Sequence, residues 1–98
     1  MIVSIRNRHG RSTKTLEKHA RRRVAFALDR FSNHIQSVSL RFEAPASGGA
    51  DKQCTAEATG QFRHAIATAA GENYFAATNR ALQALERIVG KSLDRQHA

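Results

Sequence analysis

The period at which hydrophobic residues recur changes along the chain, and this change constrains the fold more than any other feature. From Ile35 to Glu43 apolar and polar residues alternate, as they do in a strand with one buried face. Over residues 13–31 and again over residues 73–90, apolar residues recur three and four positions apart, which predicts two amphipathic helices. A chain that combines both periods is expected to pack helices against a sheet.

Three further segments, at residues 2–6, 53–59 and 61–69, have the alternation or the β-branched residues typical of strands. The predicted element order is therefore β-α-β-β-β-α. Because a helix connects the first two strands, we expect them to be parallel, whereas the other strands are expected to join as hairpins. We predict an α+β fold in which two helices pack on one face of a four-stranded mixed sheet.

Polar residues, glycine and proline indicate where these elements end. Ser12 or Thr13 is expected to cap the first helix and Asn73 the second, and Gly90 is expected to end the second helix. Residues 44–50 contain the single proline and two adjacent glycines, which predicts a surface loop. We expect residues 93–98 to form a frayed tail.

The buried face of the fourth strand is left open by the sequence. Phe62 and Ile66 favour one register, whereas Ala65, Ala67 and Ala69 favour the other. Either choice leaves the face of the sheet opposite the helices with serine, threonine, arginine and glutamate.

Length and composition exclude several classes of function. The 98 residues are enough for one domain, spanning residues 1–98, with one modest core. The lone Cys54 cannot form an internal disulfide, which favours the cytoplasm. The sequence contains no apolar run long enough to span a membrane, and its start does not resemble a signal peptide, so we expect no association with a membrane. The five histidines lie on separate elements, and no catalytic triad or nucleotide-binding loop is present in the sequence. We therefore expect no enzyme, no metal, no cofactor and no small-molecule substrate.

Positive charge is concentrated in the first third of the chain. Residues 1–30 contain nine basic and two acidic residues, a net of +7 out of +8 for the whole chain. Solubility alone does not require such clustering, and a field concentrated on one part of a small domain attracts polyanions, above all nucleic acid.

Helical spacing places these bases in two outward rows. Lys14, Lys18, Arg21 and Arg22 fall within roughly one quadrant of the first helix, and Arg80, Arg87 and Lys91 align on the second, both opposite the apolar stripes. The residues that we predict to bind RNA phosphates are Arg8, Arg11, Lys14, Lys18, Arg21, Arg22, Arg23, Arg80, Arg87 and Lys91. The alternative is a solvated face with local ion pairs, such as Glu17 with Lys14 or Arg21.

Several motifs resemble those of the ribosome hibernation promoting factors, also called ribosome-associated inhibitors or sigma-54 modulation proteins. Within residues 73–87, the family's signature is matched at Ala76, Ala77, Leu85, Glu86 and Arg87. Residues 12–16 resemble the family's first-helix start, and residues 28–31 its first-helix exit into the second strand. The chain departs from the family at Asn73 and Asn79, where acidic residues are usual, and at Phe75, where tyrosine is usual.

The resemblance implies a function and a partner. Members of this family bind rRNA of the small ribosomal subunit in the decoding channel and silence translation in stationary or stressed cells. For this chain the resemblance implies the same activity, with the basic helix faces as the rRNA contacts.

Two other classes of binding protein stay open at the level of sequence. One is a general RNA-binding module similar to a double-stranded-RNA-binding domain, although the opening strand is not part of that fold. The other is an interaction module that forms a homodimer through its open sheet face.

Overall fold

The computed structural model describes residues 1–7, 14–44 and 51–97. They form strand β1 (Ile2–Asn7), helix α1 (Lys14–Leu28) with a 3-10 turn at Asp29–Phe31, strands β2 (Ile35–Glu43), β3 (Lys52–Gly60) and β4 (Arg63–Gly71), and helix α2 (Tyr74–His97). The predicted β-α-β-β-β-α order is confirmed. The predicted cap at Ser12 or Thr13 and nearly all of the predicted loop at 44–50 lie outside the described residues.

The four strands form one mixed sheet in the order β1-β2-β3-β4. β1 and β2 are parallel, with Val3 opposite Val38, because α1 crosses over between them. β2 with β3 and β3 with β4 are antiparallel. Both predicted relationships between neighbouring strands are confirmed, and β1 and β4 are left as the two edges.

One core cluster fills the space between the sheet and both helices. Its largest fully buried side chains include Phe42 and Leu40 from the sheet, Leu28 from α1, and Leu82 and Leu85 from α2. Burial of a side chain of this size stabilises the folded state by about 2 kcal/mol. This packing directs the opposite sides of the helices to solvent.

The two helices run in the same direction. His19, early in α1, contacts Phe75 and Asn79 at the start of α2, whereas Arg30, just after α1, contacts Glu86 further along. Equivalent turns of the helices therefore lie side by side, and their outward faces form one layer.

The alanine register of β4 is the observed one. Ala65 and Ala67 are buried and Ala69 is half-buried, whereas Ile66 is 47% exposed on the other face. Phe62 is also buried, but it lies in the turn before the strand, so its burial does not determine which face of β4 is buried. The small alanines are favoured because α2 lies directly over β3 and β4.

The start of α2 is as predicted, and its end is not. The side chain of Asn73 accepts a hydrogen bond from the backbone N–H of Ala76 at 2.9 Å, which confirms the cap. The predicted end at Gly90 is wrong, since the helix continues to His97 and buries Leu93 within the stretch expected to fray. Gly90 lies inside the helix beside Phe31, where an added Cβ would lie 3.4 Å from the ring, close to an ordinary contact distance.

Candidate nucleic-acid interface

The basic row on α1 is exposed as predicted. Its members are Lys14, Lys18, Arg21 and Arg22, and all four are exposed. The other side of the helix is buried in the core through Leu16, Ala20, Val24, Ala27 and Leu28. The row therefore faces away from the sheet, and its outer flank lies near β1, where the Arg21 guanidinium donates a 3.4 Å hydrogen bond to the carbonyl of Val3.

The basic row on α2 faces away from the sheet as well. Arg80, Arg87 and Lys91 are exposed, whereas Leu85 and Val89 on the opposite side are buried. This row leans toward the other edge of the sheet, because Arg80 donates a 2.8 Å hydrogen bond to the carbonyl of Ala70 in β4. The two rows thus lie along the outer flanks of one helix layer.

In the part of the chain that the structure describes, carboxylates do not pair with these rows. Within the described residues, ion pairs join Arg30 to Glu86 and Arg41 to Glu43, and His64 Nε2 lies 3.0 Å from a carboxylate oxygen of Glu57; none of these contacts includes a member of either row. The described helical segments, with the 3-10 turn, carry ten basic and four acidic residues, a net of +6.

Arg23, which was predicted to bind RNA phosphates, lies apart from the basic row on α1. It is half-buried, and its guanidinium lies over the ring of Phe26, 4.9 Å from the ring centroid. Its position is about 100° around the helix from Arg22, which places it on the side toward α2. The predicted residues Arg8 and Arg11 lie outside the described residues.

The groove between the helices contains residues that the sequence analysis did not identify as a group. The ring of His19 packs edge-on against Phe75 with 5.0 Å between centroids, and its Nε2 is 2.9 Å from Oδ1 of Asn79. Phe75, predicted to lie in the buried stripe, is 37% exposed, and the neighbouring Tyr74 packs on Phe42 instead. Phe26 is 78% exposed. Its position outside the apolar stripe of α1 is the signal that could have identified it.

The opposite face of the sheet is polar, and several of its groups are paired with one another. The hydroxyls of Ser37 and Thr59 lie 2.7 Å apart, and those of Thr55 and Thr68 lie 3.0 Å apart. The Nε of Arg41 is 2.8 Å from a carboxylate oxygen of Glu43. A shallow depression of about 280 Å³ on this face is lined by Ser4, Arg6, Ser39, Leu40, Arg41, Thr55 and Glu57.

Cys54 is suited to packing and not to nucleophilic chemistry. The side chain is buried, and desolvation raises the pKa of the thiol from 9.0 to about 11, while a hydrogen bond with Thr78 lowers it in part. The reactive thiolate is therefore scarce at neutral pH. Over the ranges that the structure describes, no three His, Cys, Asp or Glu side chains cluster in a way that could hold a metal ion.

Neither of the described helices has the length and apolar content that a bilayer crossing requires.

The sequence pattern of the chain matches that of a known family over almost its whole length. The model of the family described as "Sigma 54 modulation protein / S30EA ribosomal protein" matches residues 3–97. The chain belongs to this family. The resemblance drawn from the motifs in α1 and α2 is therefore confirmed, although no curated protein sequence matches the chain.

Solved structures have the same fold as this member of the S30EA family. A ribosomal subunit interface protein from Coxiella burnetii matches with a TM-score of 0.79 and 13% identity, covering 93% of this chain and 96% of the other. The N-terminal domain of Protein Y from Thermus thermophilus matches with a TM-score of 0.78 and 14% identity, covering 93% and 98%. At these identities the likeness shows the fold alone.

Proposed function

We propose that the protein is a ribosome-associated translation inhibitor that binds rRNA of the small subunit in the decoding channel through the basic faces of α1 and α2. The observation that carries this proposal is the pair of exposed basic rows, which have no carboxylate partners within the described residues. Membership of the S30EA family and the fold shared with a ribosomal subunit interface protein support it.

The physical basis of binding is release of counterions from the RNA backbone. Seven exposed cations in two rows offer phosphate contacts along the length of both helices. Arginine outnumbers lysine twelve to four in the chain, and its planar guanidinium can contact a phosphate through two hydrogen bonds. Phosphate contacts of this kind do not depend on the base sequence. A protein bound in the channel would exclude mRNA and tRNA by its volume and its charge.

In this proposal the protein has no catalytic role. It acts in the cytoplasm of stationary or stressed cells by occupying the channel, and neither a cofactor nor a small-molecule substrate is involved.

Binding to purified small subunits across a range of salt concentrations tests the proposal. If about five to seven cations contact phosphates, the logarithm of the association constant should fall with the logarithm of salt with a slope of about −4 to −6. That slope corresponds to a loss of about 1,000-fold between 50 and 200 mM salt. Absence of cosedimentation at low salt would contradict the proposal.

Competition experiments locate the binding site and separate the alternatives. Small subunits preloaded with mRNA and tRNA should exclude the protein, and equal binding to preloaded subunits would place the site elsewhere. Excess duplex RNA should compete only weakly, whereas strong competition would favour a general RNA-binding module. A homodimer that forms without RNA would favour self-association, and sedimentation equilibrium of the protein alone measures it.

A further inference from the structure

Phe26 is the most exposed large hydrophobic side chain among the described residues. The ring is 78% exposed, compared with 68% for Ile2 and 47% for Ile66. Ile2 lies near the start of the chain, whereas Phe26 lies within α1, in the helix layer that carries the two basic rows. Compared with a buried ring, a phenylalanine ring exposed in this way forgoes about 2 kcal/mol of hydrophobic stabilisation in the free protein.

Basic side chains surround this ring. Arg22 lies one turn earlier on the same face of α1, and Arg23 lies over the ring at 4.9 Å. The Nε of Arg23 is buried without a hydrogen-bond partner among the described residues, and none of the ion pairs between described residues includes Arg23. Arg30, by contrast, is paired with Glu86 and lies over Phe31 at 4.5 Å.

An exposed aromatic face beside unpaired guanidinium groups fits one kind of ligand, a phosphate chain whose bases are free to stack. Aromatic rings and guanidinium planes both stack on unpaired bases, and every base has a face suitable for this contact. A duplex offers no free base faces along its length, and an acidic peptide would use the cations but not the ring.

We infer that Phe26 and Arg23 form a stacking site for an unpaired RNA base, with Arg22 contacting the adjoining phosphate. The inference rests on the proposed function, since it assigns to the same helix layer a preference for single-stranded or looped rRNA. The stacking site would contact the base and not the charged backbone. Its contribution to the affinity for RNA can therefore be distinguished from that of the basic rows.

A tryptophan substitution detects stacking directly, because the chain contains no tryptophan. In Phe26→Trp, a single-stranded oligouridine should quench the indole fluorescence, whereas an abasic oligomer of the same length should bind without quenching. The matched control is Ile66→Trp, which places the only indole at an exposed position on the opposite face of the sheet. Equal quenching in the two variants, or equal quenching by the two oligomers, would overturn the inference.

An alanine substitution measures what the contact contributes to binding of small subunits. Phe26→Ala should weaken binding on the order of tenfold, with an unchanged dependence on salt, because a stacked base releases no counterions. Phe26→Tyr should restore binding, since it retains a stacking ring. Because the side chain is exposed, both variants should keep the fold, and the thermal midpoint of each variant checks this.

The two proposals fail in different ways. If the wild-type protein binds small subunits and Phe26→Ala binds them equally well, the stacking site is excluded and the proposed function stands. If Phe26→Ala abolishes a dimer and leaves RNA affinity unchanged, the ring belongs to a protein interface and the inference is wrong. If the wild-type protein binds neither small subunits nor oligouridine, both proposals are wrong.

Discussion

The helix layer and the open sheet face are both polar, but they differ in how many of their charged side chains have a partner on the same surface. On the sheet face, Arg41 is paired with Glu43 and His64 with Glu57, and threonine and serine hydroxyls bond to each other. On the helix layer, the exposed cations of both rows have no carboxylate partner within the described residues. The sheet face thus pairs several of its polar groups with one another, whereas the helix layer leaves two rows of cations available to a partner.

The difference shows why a count of basic residues does not locate a binding surface. An arginine that is already paired gives up that contact when it binds a phosphate, so the net gain is small. A row without acids gains the full effect of counterion release. Uncompensated charge, more than total charge, therefore distinguishes the surface proposed to meet RNA.

The largest expected effect comes from reversing charges on one surface and not the other. We expect Lys18→Glu with Arg22→Glu to weaken binding to small subunits about 1,000-fold, because two contacts are lost and two repulsions replace them. The matched control is Arg6→Glu with Arg41→Glu on the sheet face, which changes the net charge by the same amount. Cosedimentation at constant salt measures both variants.

The control should bind within about threefold of the wild-type protein, because charges beyond the Debye length of about 8 Å are screened. Equal losses in the two double variants would show that overall charge, and not the helix layer, determines binding.

Cys54 provides the second largest effect and reports whether such variants remain folded. With the pKa of the thiol raised from 9.0 to about 11, the thiolate fraction at pH 8 falls about 100-fold on folding. Alkylation by iodoacetamide should therefore be at least that much slower in the native protein than in urea, as mass spectrometry can measure.

The same shift predicts the direction of a pH effect on stability. The folded state holds the thiol proton more tightly than the unfolded state, so the stabilisation is fully present below pH 9 and is lost as the pH rises toward 11. Cys54→Ala should remove that part of the pH dependence. A charge-reversal variant whose thiol reacts as fast as in urea has lost its fold, and its binding defect would carry no weight.

The spacing of hydrophobic residues was sufficient to predict the fold, because buried residues alternate along the strands and recur every three or four positions along the helices. The alternation from Ile35 to Glu43 predicted β2 with its observed bounds, and Asn73 predicted the cap of α2. The prediction that Gly90 ends α2 was wrong because the helix continues past it and buries Leu93 in the core, a tertiary contact that local sequence does not display. The register of β4 was left open because Phe62 is buried from a turn, outside the pleat of the strand.

The candidate site was predicted where helical spacing alone decides exposure. Lys18, Arg22 and Arg87 are exposed because they lie opposite the apolar stripes. Helical spacing turns Arg23 about 100° away from Arg22, but the packing of its guanidinium over the ring of Phe26 could not be predicted from that spacing. The contact between His19 and Asn79 could not be predicted from the sequence either, because the two residues are 60 positions apart in the chain.

A smaller effect is expected when the helix layer is made to resemble the sheet face. Gln83 is exposed between Arg80 and Arg87, three residues after the first and four before the second. Gln83→Glu should pair with Arg87, stabilise the helix by about 0.3 kcal/mol and weaken binding roughly fivefold, with a salt slope shallower by about one. Titration at several salt concentrations and urea unfolding measure these changes, and Gln83→Ala is the control. Unchanged affinity would mean that the α2 row does not contact phosphates.

The smallest effect is expected from the converse change, which frees a base on the sheet face. Glu43→Gln removes the carboxylate that lies 2.8 Å from Arg41, in a pair whose side chains are 55% and 30% exposed. A pair this accessible contributes less than about 1 kcal/mol to the free energy of unfolding, so urea denaturation should show only a slight loss. Affinity for small subunits should change less than about twofold at physiological salt, because a charge on the far side of the sheet is screened from RNA held at the helix layer. A gain of about tenfold would instead show that the sheet face meets the RNA, since only a base in contact with phosphate gains that much from losing its partner.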